Sequence, residues 1–383
     1  MQPRTGGPRS TLTAAQVEGL ITGPTVTVDA GCESIDVATG AVTDISEHLI
    51  PEGSSVSSAA YATVHRTCRL RLSTELPWAS TLLRPFMTLS HGALTARFDL
   101  GVYEPGTPED VAGEDPQTWD VEGYDRLSRL RWAIGSTYRV AASSGALTAV
   151  SAAITAAQED ALGVVLEGIG ADPTLTSDWV WPIAADSTWL RVCNDLLGSV
   201  GYRGIWCDWL GRYRSEPYLS PSVRGTEWTY HADDPSLSII EDGRRRARDI
   251  FPVPNRWVFV RRNIDQAAPA DGDGIAVFDN VDVGPASRNA FAGKIRTEVV
   301  EVDAESHAAL EAQGRRIVEA AMGVATYLEV STSPNPLHWH FDAVRLRDGP
   351  EDSRWLVTDW DLPLDGSPMR QSWRRIDPAP EVS

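Results

Sequence analysis

The sequence predicts a mainly β protein in which an α+β domain is inserted between two related β-domains. Three observations lead to this fold class. Runs that alternate apolar and polar residues, typical of strands with one buried face, occur in both the first and the last third of the chain. The segments 98–125 and 341–361 share one pattern of residues. Between them, the stretch 126–222 has apolar residues at helical spacing.

Residues 25–125 are predicted to form the first β-domain, preceded by a weakly organised N-terminal arm, residues 1–24. The stretch 67–74 places Cys68, Leu70 and Leu72 on one face and arginines on the other. Similar alternation in 25–30 and 94–103 predicts further strands of an antiparallel sheet.

Residues 126–222 are predicted to form the inserted α+β domain. A helix is expected over 146–161, where apolar residues recur at helical spacing. A second helix is expected to begin after Ser187 as its N-cap and to run to 200, where Gly201 can end it. The aromatic-rich stretch 202–213 predicts a hairpin turning at 208–211.

Residues 223–383 are predicted to form the second β-domain, with strands near 228 and at 255–260, 326–330 and 337–343. One helix, 303–324, is expected inside it, with Asp303 as its N-cap.

The shared pattern of 98–125 and 341–361, called here the echo, predicts a strand, an acidic turn and a second strand in each β-domain. Aligning the two copies places Val102 against Arg345, so the face alternation slips unless one copy has a bulge. The matched residues are Phe98-Asp99, Pro108 to Asp110, Trp119, Val121, Tyr124 and Asp125 in one copy, and Phe341-Asp342, Pro350 to Asp352, Trp355, Val357, Trp360 and Asp361 in the other.

Length and charge limit the function. The 383 residues, 42% hydrophobic, suffice for several folded domains and exclude wholesale disorder. No apolar run approaches the roughly 18 to 20 residues of a membrane span, and residues 1–10 lack the apolar core of a secretory signal. The net charge of −19 argues against a sequence-independent nucleic-acid binder. The basic run Arg244 to Arg246, extended by Arg248, is interpreted as a solvated edge or a subunit contact.

No metal or cofactor site is predicted. The four cysteines Cys32, Cys68, Cys193 and Cys207 form no CxxC pair and are expected to be buried free thiols in a reducing compartment. His338, His340 and Asp342 would lie on one face of strand 337–343, but spread over about 13 Å they cannot share one ion, so a polar solvent or interface face is expected. Asp271 and Asp273 are interpreted as a turn, because a calcium loop needs more acidic ligands.

No catalytic residue is predicted either, because no motif of a hydrolase, metalloprotease or nucleotide-binding enzyme occurs. The 53 acidic residues leave a glycosidase pair of carboxylates open without naming one. Of the 14 tryptophans, Trp179 and Trp181 are the expected surface or interface aromatics.

Over roughly residues 25–375 the chain resembles the tail hub (minor tail) proteins of actinobacteriophages with long non-contractile tails, the siphoviruses, which are relatives of the baseplate hub proteins of contractile phages. The segments that carry the resemblance are LRPFMTLS (83–90), RFDLGVYEPGTPED (97–110), VEGYDRLSRL (121–130), LLGSVGYRGIWCDWLGRYRSEPY (196–218), PNRWVFV (254–260), LEVSTSPNPLHWHFD (328–342) and RWLVTDWDLPLDGSPM (354–369).

The resemblance implies a structural, non-enzymatic protein of the virion tail tip, made in the host cytoplasm. Two β-barrel hub domains per subunit, with the α+β domain inserted between them, would let a homotrimer close a pseudo-hexameric ring. That ring would adapt the six-fold tail tube to a three-fold tip and line the DNA exit channel.

The implied partners are the distal tail ring protein, the tape measure protein and other tip or fibre proteins. DNA would only pass through, without specific binding, and no membrane insertion is expected. Three copies carry a net charge of −57, three times −19, which would keep DNA from adhering to an acidic lumen.

Two other functions stay open at this point. One is a cell-wall-degrading tail enzyme, a glycosidase or peptidase, and the other is a receptor-binding or carbohydrate-binding tail module. Because no fibre or hydrolase region follows the last β-domain, receptor binding and lysis are expected on partner proteins.

Overall fold

A computed structural model gives the structure of the protein. It describes residues 12–23, 25–111, 117–158, 163–166, 171–234, 240–241, 244–247, 253–261, 274–304, 306–324, 326–339 and 341–376. These residues form a mainly β protein with few helices, as the sequence predicts.

Fourteen strands form one large, mostly antiparallel sheet. From the first part of the chain it takes β1 (Thr27–Asp36), β2 (Val42–Asp44), β3 (Leu49–Ala59), β4 (Arg66–Leu72), β5 (Thr81–His91), β6 (Leu94–Asp99), β7 (Tyr103–Val111) and β8 (Thr118–Asp125). From the last part of the chain it takes six more strands, whose ranges are given below. Alternation in β4 is as predicted, with Cys68, Leu70 and Leu72 buried and Arg69 exposed.

Eight strands lie outside the large sheet, in the inserted region and in a later three-stranded unit. The inserted region contains β9 (Tyr138–Val140), β10 (Val164–Leu166), β11 (Trp179–Trp181), β12 (Trp206–Cys207) and β13 (Tyr213–Ser215). The later unit contains β16 (Arg256–Arg261), β17 (Ile275–Asp279) and β18 (Thr297–Val302). The remaining strands of the large sheet are β14 (Trp228–His231), β15 (Arg245–Ala247), β19 (Tyr327–Thr332), β20 (Ala343–Asp348), β21 (Glu351–Pro363) and β22 (Met369–Arg375).

The β3–β4 hairpin joins the two parts of the large sheet. Strand β4 pairs with β8, and β3 pairs with β21, so the order runs β15-β19-β22-β21-β3-β4-β8-β7-β5-β1-β2. Strands β14, β20 and β6 attach to this path at its sides. The expected β-barrels are not seen: within the described ranges no sheet closes on itself, because the shared hairpin continues one half into the other.

The echo occupies comparable positions only in its second strand. Strands β8 and β21, which carry the Trp-x-Val and aromatic-Asp residues, flank the β3–β4 hairpin from opposite sides. In the first half of the echo the copies differ. Phe98 is buried in β6, whereas Phe341 lies in a turn with φ +62°. Val102 precedes β7 while Arg345 lies within β20, which accounts for the slip in alternation.

A helix, α1 (Ala14–Thr22), lies within the predicted arm and packs on the large sheet. Thr13 caps it, accepting a hydrogen bond from the Gln16 amide while the Gln16 side chain accepts from the Thr13 amide. Its buried residues Val17, Leu20 and Ile21 join the core under the sheet.

The inserted region has a hydrophobic core of its own, drawn from residues 127–213. Three helices surround it: α2 (Leu127–Leu130), α3 (Ala146–Ala157) and α4 (Trp189–Ser199). Both predicted helices are present, α3 four residues shorter than expected and α4 capped by Thr188 instead of Ser187. The predicted hairpin is the antiparallel β12–β13 pair.

A third core lies between α5 (His307–Val324) and the sheet β17-β16-β18. The predicted helix 303–324 is thus confirmed but begins at His307. It packs on β16 and β17 through a stripe that includes Leu310 and Val318, with Gly314 facing two phenylalanine rings. This helix therefore covers a small α/β unit within the second predicted β-domain.

Candidate interaction sites

His338 and Asp342 are fully buried, so the predicted polar strand face is wrong. Residues 337–339, 341 and 342 lie in no strand, and β20 begins only at Ala343. Side-chain oxygens accept hydrogen bonds from the backbone amides here. Asn335 Oδ1 accepts from the Leu337 amide (3.1 Å), and Asp342 Oδ2 accepts from the Trp339 amide (2.9 Å). Such side-chain bonds favour turns over strands.

His338 links two other buried groups. Its Nε2 lies 2.6 Å from the Tyr230 hydroxyl and its Nδ1 lies 3.1 Å from Asp342 Oδ2. The order acid, imidazole, hydroxyl is that of a catalytic relay. The Tyr230 hydroxyl also accepts from Gln371 Nε2 (3.1 Å), and Tyr230 is 2% exposed, so no substrate can reach it. The relay ties β14 to β22 and to the turn that carries His338 and Asp342.

The other candidate ligands of the sequence analysis cannot be placed. His340, Asp271 and Asp273 lie outside the described residues. In the part of the chain that the structure describes, no three His, Cys, Asp or Glu side chains are placed to hold a metal ion. All four cysteines are buried and free, as predicted. Burial raises the pKa of Cys32 and Cys193 to about 12, which keeps these thiols protonated and unreactive.

Of the two tryptophans of β11 that the sequence suggested as surface or interface aromatics, Trp179 is partly buried and Trp181 is buried. Trp181 is 4% exposed, and its Nε1 donates to Asp195 of α4 at 2.9 Å. Trp179 stacks on Trp181 with ring centroids 5.7 Å apart. Pairing of β11 with β9 turns Trp181 toward α4, which explains the error. Trp132, 76% exposed, is a tryptophan that lies at the surface instead.

The basic run Arg244 to Arg246 lies at the end of the large sheet, in and beside β15. Arg244 pairs with Asp348 (2.8 Å) and Arg246 with Glu351 (2.6 Å). These ion pairs neutralise most of the run, so it offers no concentrated positive charge to a phosphate backbone. This position agrees with the predicted solvated edge; Arg248 lies outside the described residues.

The feature with most recognition chemistry is a cavity of about 360 Å³ where the inserted region, α5 and the large sheet meet. We call it the junction pocket. Its walls combine arginines with aromatic rings and include Tyr61, Arg203, Tyr218, Arg316, Phe341 and Arg374. Tyr61 and Phe341 pack edge to face with centroids 5.3 Å apart.

Arginines outnumber acids in the walls of the junction pocket. Its walls contain five arginines and one acid, Glu319, in a chain whose net charge is −19. His65 also lines it, and burial, with help from Arg203, lowers the pKa of His65 to about 4. His65 is therefore neutral near pH 7. The residues of this site come from distant segments of the chain that share no motif, so the sequence did not predict it.

Comparisons with family models and with curated proteins find no match. Solved structures do match. A tail protein from Neisseria meningitidis MC58 aligns over 91% of this chain and 97% of its own, with TM-score 0.61 and 12% identity. The prophage MuSo2 43 kDa tail protein from Shewanella oneidensis aligns over 90% and 98%, with TM-score 0.55 and 10% identity. Prophage tail protein gp18 from Listeria monocytogenes EGD-e aligns over 90% and 94%, with TM-score 0.53 and 8% identity.

Among the described residues, none of the helices combines the length and hydrophobicity needed to cross a membrane.

The three alignments cover nearly the full length of both partners in each comparison, so they concern the whole architecture and not one module. The chain has the fold of phage tail proteins.

Proposed function

We propose that this protein is a structural hub of the tail tip of a long-tailed phage. The observation that carries the proposal is the end-to-end alignment with three tail proteins, each matched over at least 94% of its own length. The sequence resemblance to siphovirus tail hub proteins supports the tail tip in particular. Partners on this proposal are the distal tail ring protein, the tape measure protein and tip or fibre proteins.

In the proposed assembly three chains close a ring around the DNA exit channel. Each chain offers two sheet halves, so three chains present six units to a six-fold tail tube. The positions of β8 and β21 on opposite sides of the β3–β4 hairpin support this pairing of halves. The charge of −19 per chain suits a channel that DNA crosses without binding.

The proposal assigns no enzymatic activity to the chain. Its hydrogen-bonded relay, Tyr230 with His338 and Asp342, is closed to solvent and joins elements of the fold. The junction pocket has one acid, Glu319, and this carboxylate accepts hydrogen bonds from Tyr218 and Ser222, both at 3.2 Å. A glycosidase needs two carboxylates facing one substrate.

The mass of the purified protein tests the ring. Light scattering after size exclusion is expected to give about 125 kDa, three times the 41.7 kDa of one chain, and electron microscopy of the particles should show three-fold rings. A chain that stays monomeric at every concentration, and also when mixed with its tail ring partner, would contradict the hub. Clearing of purified host cell walls by the protein alone would contradict the structural assignment.

A further inference from the structure

We propose that the junction pocket binds a segment of a partner protein in which a carboxylate lies next to an apolar side chain. This inference goes beyond the proposed hub, because a single chain already contains the complete pocket. It concerns a receptor site for one short acidic segment, and it holds whether or not three chains close a ring.

The position of the pocket suits a docking site. Tyr218 and Leu219 come from the end of the inserted region and Arg316 from α5. Tyr61 comes from the turn between β3 and β4, and Arg374 from β22 of the large sheet. The volume of about 360 Å³ falls within the range of roughly 300 to 1,000 Å³ typical of ligand pockets. An occupant would contact all three parts of the molecule at once.

Two guanidinium groups in the pocket are not matched by acids. Within the described ranges neither Arg316 nor Arg374 has a carboxylate partner. Arg316 donates to the Tyr202 carbonyl oxygen (3.3 Å), and its guanidinium lies 5.8 Å from the ring centroid of Tyr218. The guanidinium of Arg374 lies 4.2 Å from the ring centroid of Tyr61. Aromatic faces hold such groups without neutralising their charge.

Two other arginines of the pocket do have carboxylate partners. Arg203 pairs with Glu216 (2.5 Å) and Arg224 with Glu227 (2.7 Å), so their charges are already compensated. A guanidinium fork left without an acid in a part-buried cavity favours a carboxylate, which it can bind through two parallel hydrogen bonds. Burial lowers the pKa of Arg316, and an incoming carboxylate would restore the preference for its charged form.

The apolar part of the predicted segment follows from the mouth of the pocket. Leu219 is 61% exposed and Tyr61 46%, and both line the cavity. Val223, 74% exposed, continues the apolar surface along the same chain segment. A small free anion would leave these side chains in water, whereas an extended peptide would cover them and gain from their burial. This favours a polypeptide occupant.

Calorimetry with a defined peptide tests the site. The probe is a capped hexapeptide that alternates glutamate with leucine, and its control has glutamine in place of glutamate. The glutamate peptide is expected to bind with a Kd below about 1 mM, and the glutamine peptide is expected to show no detectable binding. Arg374→Glu should weaken binding at least about tenfold, as loss of a charged pair does. Arg370→Glu, the same charge reversal on the same strand outside the pocket, should leave binding unchanged.

Several outcomes would overturn the proposal. These are no binding of either peptide, equal binding of both, or equal effects of Arg374→Glu and Arg370→Glu. Leu219→Ser, at an exposed position that can change without unfolding the chain, should weaken the leucine-containing peptide; unchanged affinity would also count against the site. If Arg374→Glu lowers the oligomer mass while peptide binding persists, the pocket serves contact between copies and the proposal fails. The peptide-binding measurements do not depend on the mass of the wild-type particle.

Discussion

At the scale of single residues, His65, Arg66 and Asp125 lie side by side where the large sheet meets the inserted region. Arg66 is 1% exposed, and its guanidinium lies 3.4 Å from the ring centroid of Trp339 and 4.7 Å from that of Trp360. Its amide donates to Asp125 Oδ2 at 3.0 Å. A buried charge is tolerated only with such compensation, so ionisation and folding are linked here.

His65 and Asp125 titrate in opposite senses on unfolding. Burial, aided by Arg203, lowers the pKa of His65 to about 4. Burial raises the pKa of Asp125 to about 7, although the Leu127 amide and Arg66 oppose this. Between about pH 4 and 6.5 the folded protein holds a proton on Asp125, and the unfolded chain holds one on His65 instead. The two contributions to the pH dependence of stability therefore cancel in the wild type.

Single substitutions should reveal each contribution. With His65→Gln, only the raised pKa of Asp125 remains, so the free energy of unfolding should fall as pH rises from 4 to 6.5, relative to the wild type. With Asp125→Asn, it should rise over the same window. Each change is at most about 1.4 kcal/mol per pH unit, the limit for one proton. Urea unfolding followed by tryptophan fluorescence at several pH values measures this, and shifts of the same sign in both variants would contradict the pairing.

The sequence predicts the environment of single residues only where local polarity decides it. The isolated cysteines are buried and free because nothing near them in the chain offers a metal partner. The fate of His338 depended on Tyr230, 108 positions away, whose hydroxyl gives the imidazole a partner inside the core. The sequence did not predict the arginines of the junction pocket as a site for the same reason, because distant segments form their environment.

At the scale of elements, a glycine in α5, Gly314, determines how closely this helix packs on the sheet β17-β16-β18. A Cβ atom added at Gly314 would lie 2.8 Å from Phe278 Cε2 and 2.9 Å from Phe259 Cδ2. These rings pack edge to face with centroids 5.6 Å apart, in the core between helix and sheet. Glycine at this position lets the helix approach the strands closely.

Alanine at two helical glycines should therefore act in opposite directions. Gly314→Ala forces the two rings apart and is expected to cost about 1 to 3 kcal/mol of unfolding free energy. Gly198→Ala in α4, where the nearest atom to a new Cβ is Arg316 Nη2 at 4.0 Å, should instead stabilise by up to about 1 kcal/mol. Urea denaturation of both variants tests this. Equal stability of Gly314→Ala and the wild type would show that the rings yield freely.

Elements were predictable where periodicity was regular. The alternation of β4 and the helical spacing of α3, α4 and α5 each appear in the structure. Strand 337–343 was wrong, although its alternation was as clear, because Asn335 and Asp342 bond the local amides and Phe341 adopts φ +62°. Period-2 hydrophobicity does not register side-chain capping of a turn.

At the scale of the whole molecule, residues from both predicted β-domains share one core. Leu70 and Phe98 of the first and Trp355, Trp360 and Leu362 of the second belong to the same cluster under the large sheet. The inserted region and the α5 unit each have a separate core. Composition and periodicity gave the order of these parts, but the pairing of β3 with β21, between residues about 300 positions apart, has no local signal.

We propose that residues 126–222 form an independent domain, whereas residues 25–125 depend on the rest of the chain. Expressed alone, 126–222 should give a cooperative thermal transition, because its core is drawn from 127–213.

The fragment 25–125 should lack such a transition and aggregate, because β3 loses its partner β21 and presents an open edge, and the cluster around Leu70 loses the tryptophans of the last part. Circular dichroism melts and light scattering of the two fragments, with the full chain as reference, measure this. A cooperative melt of 25–125 near that of the full chain would show that the shared core is not required, and that each half of the sheet is stable by itself.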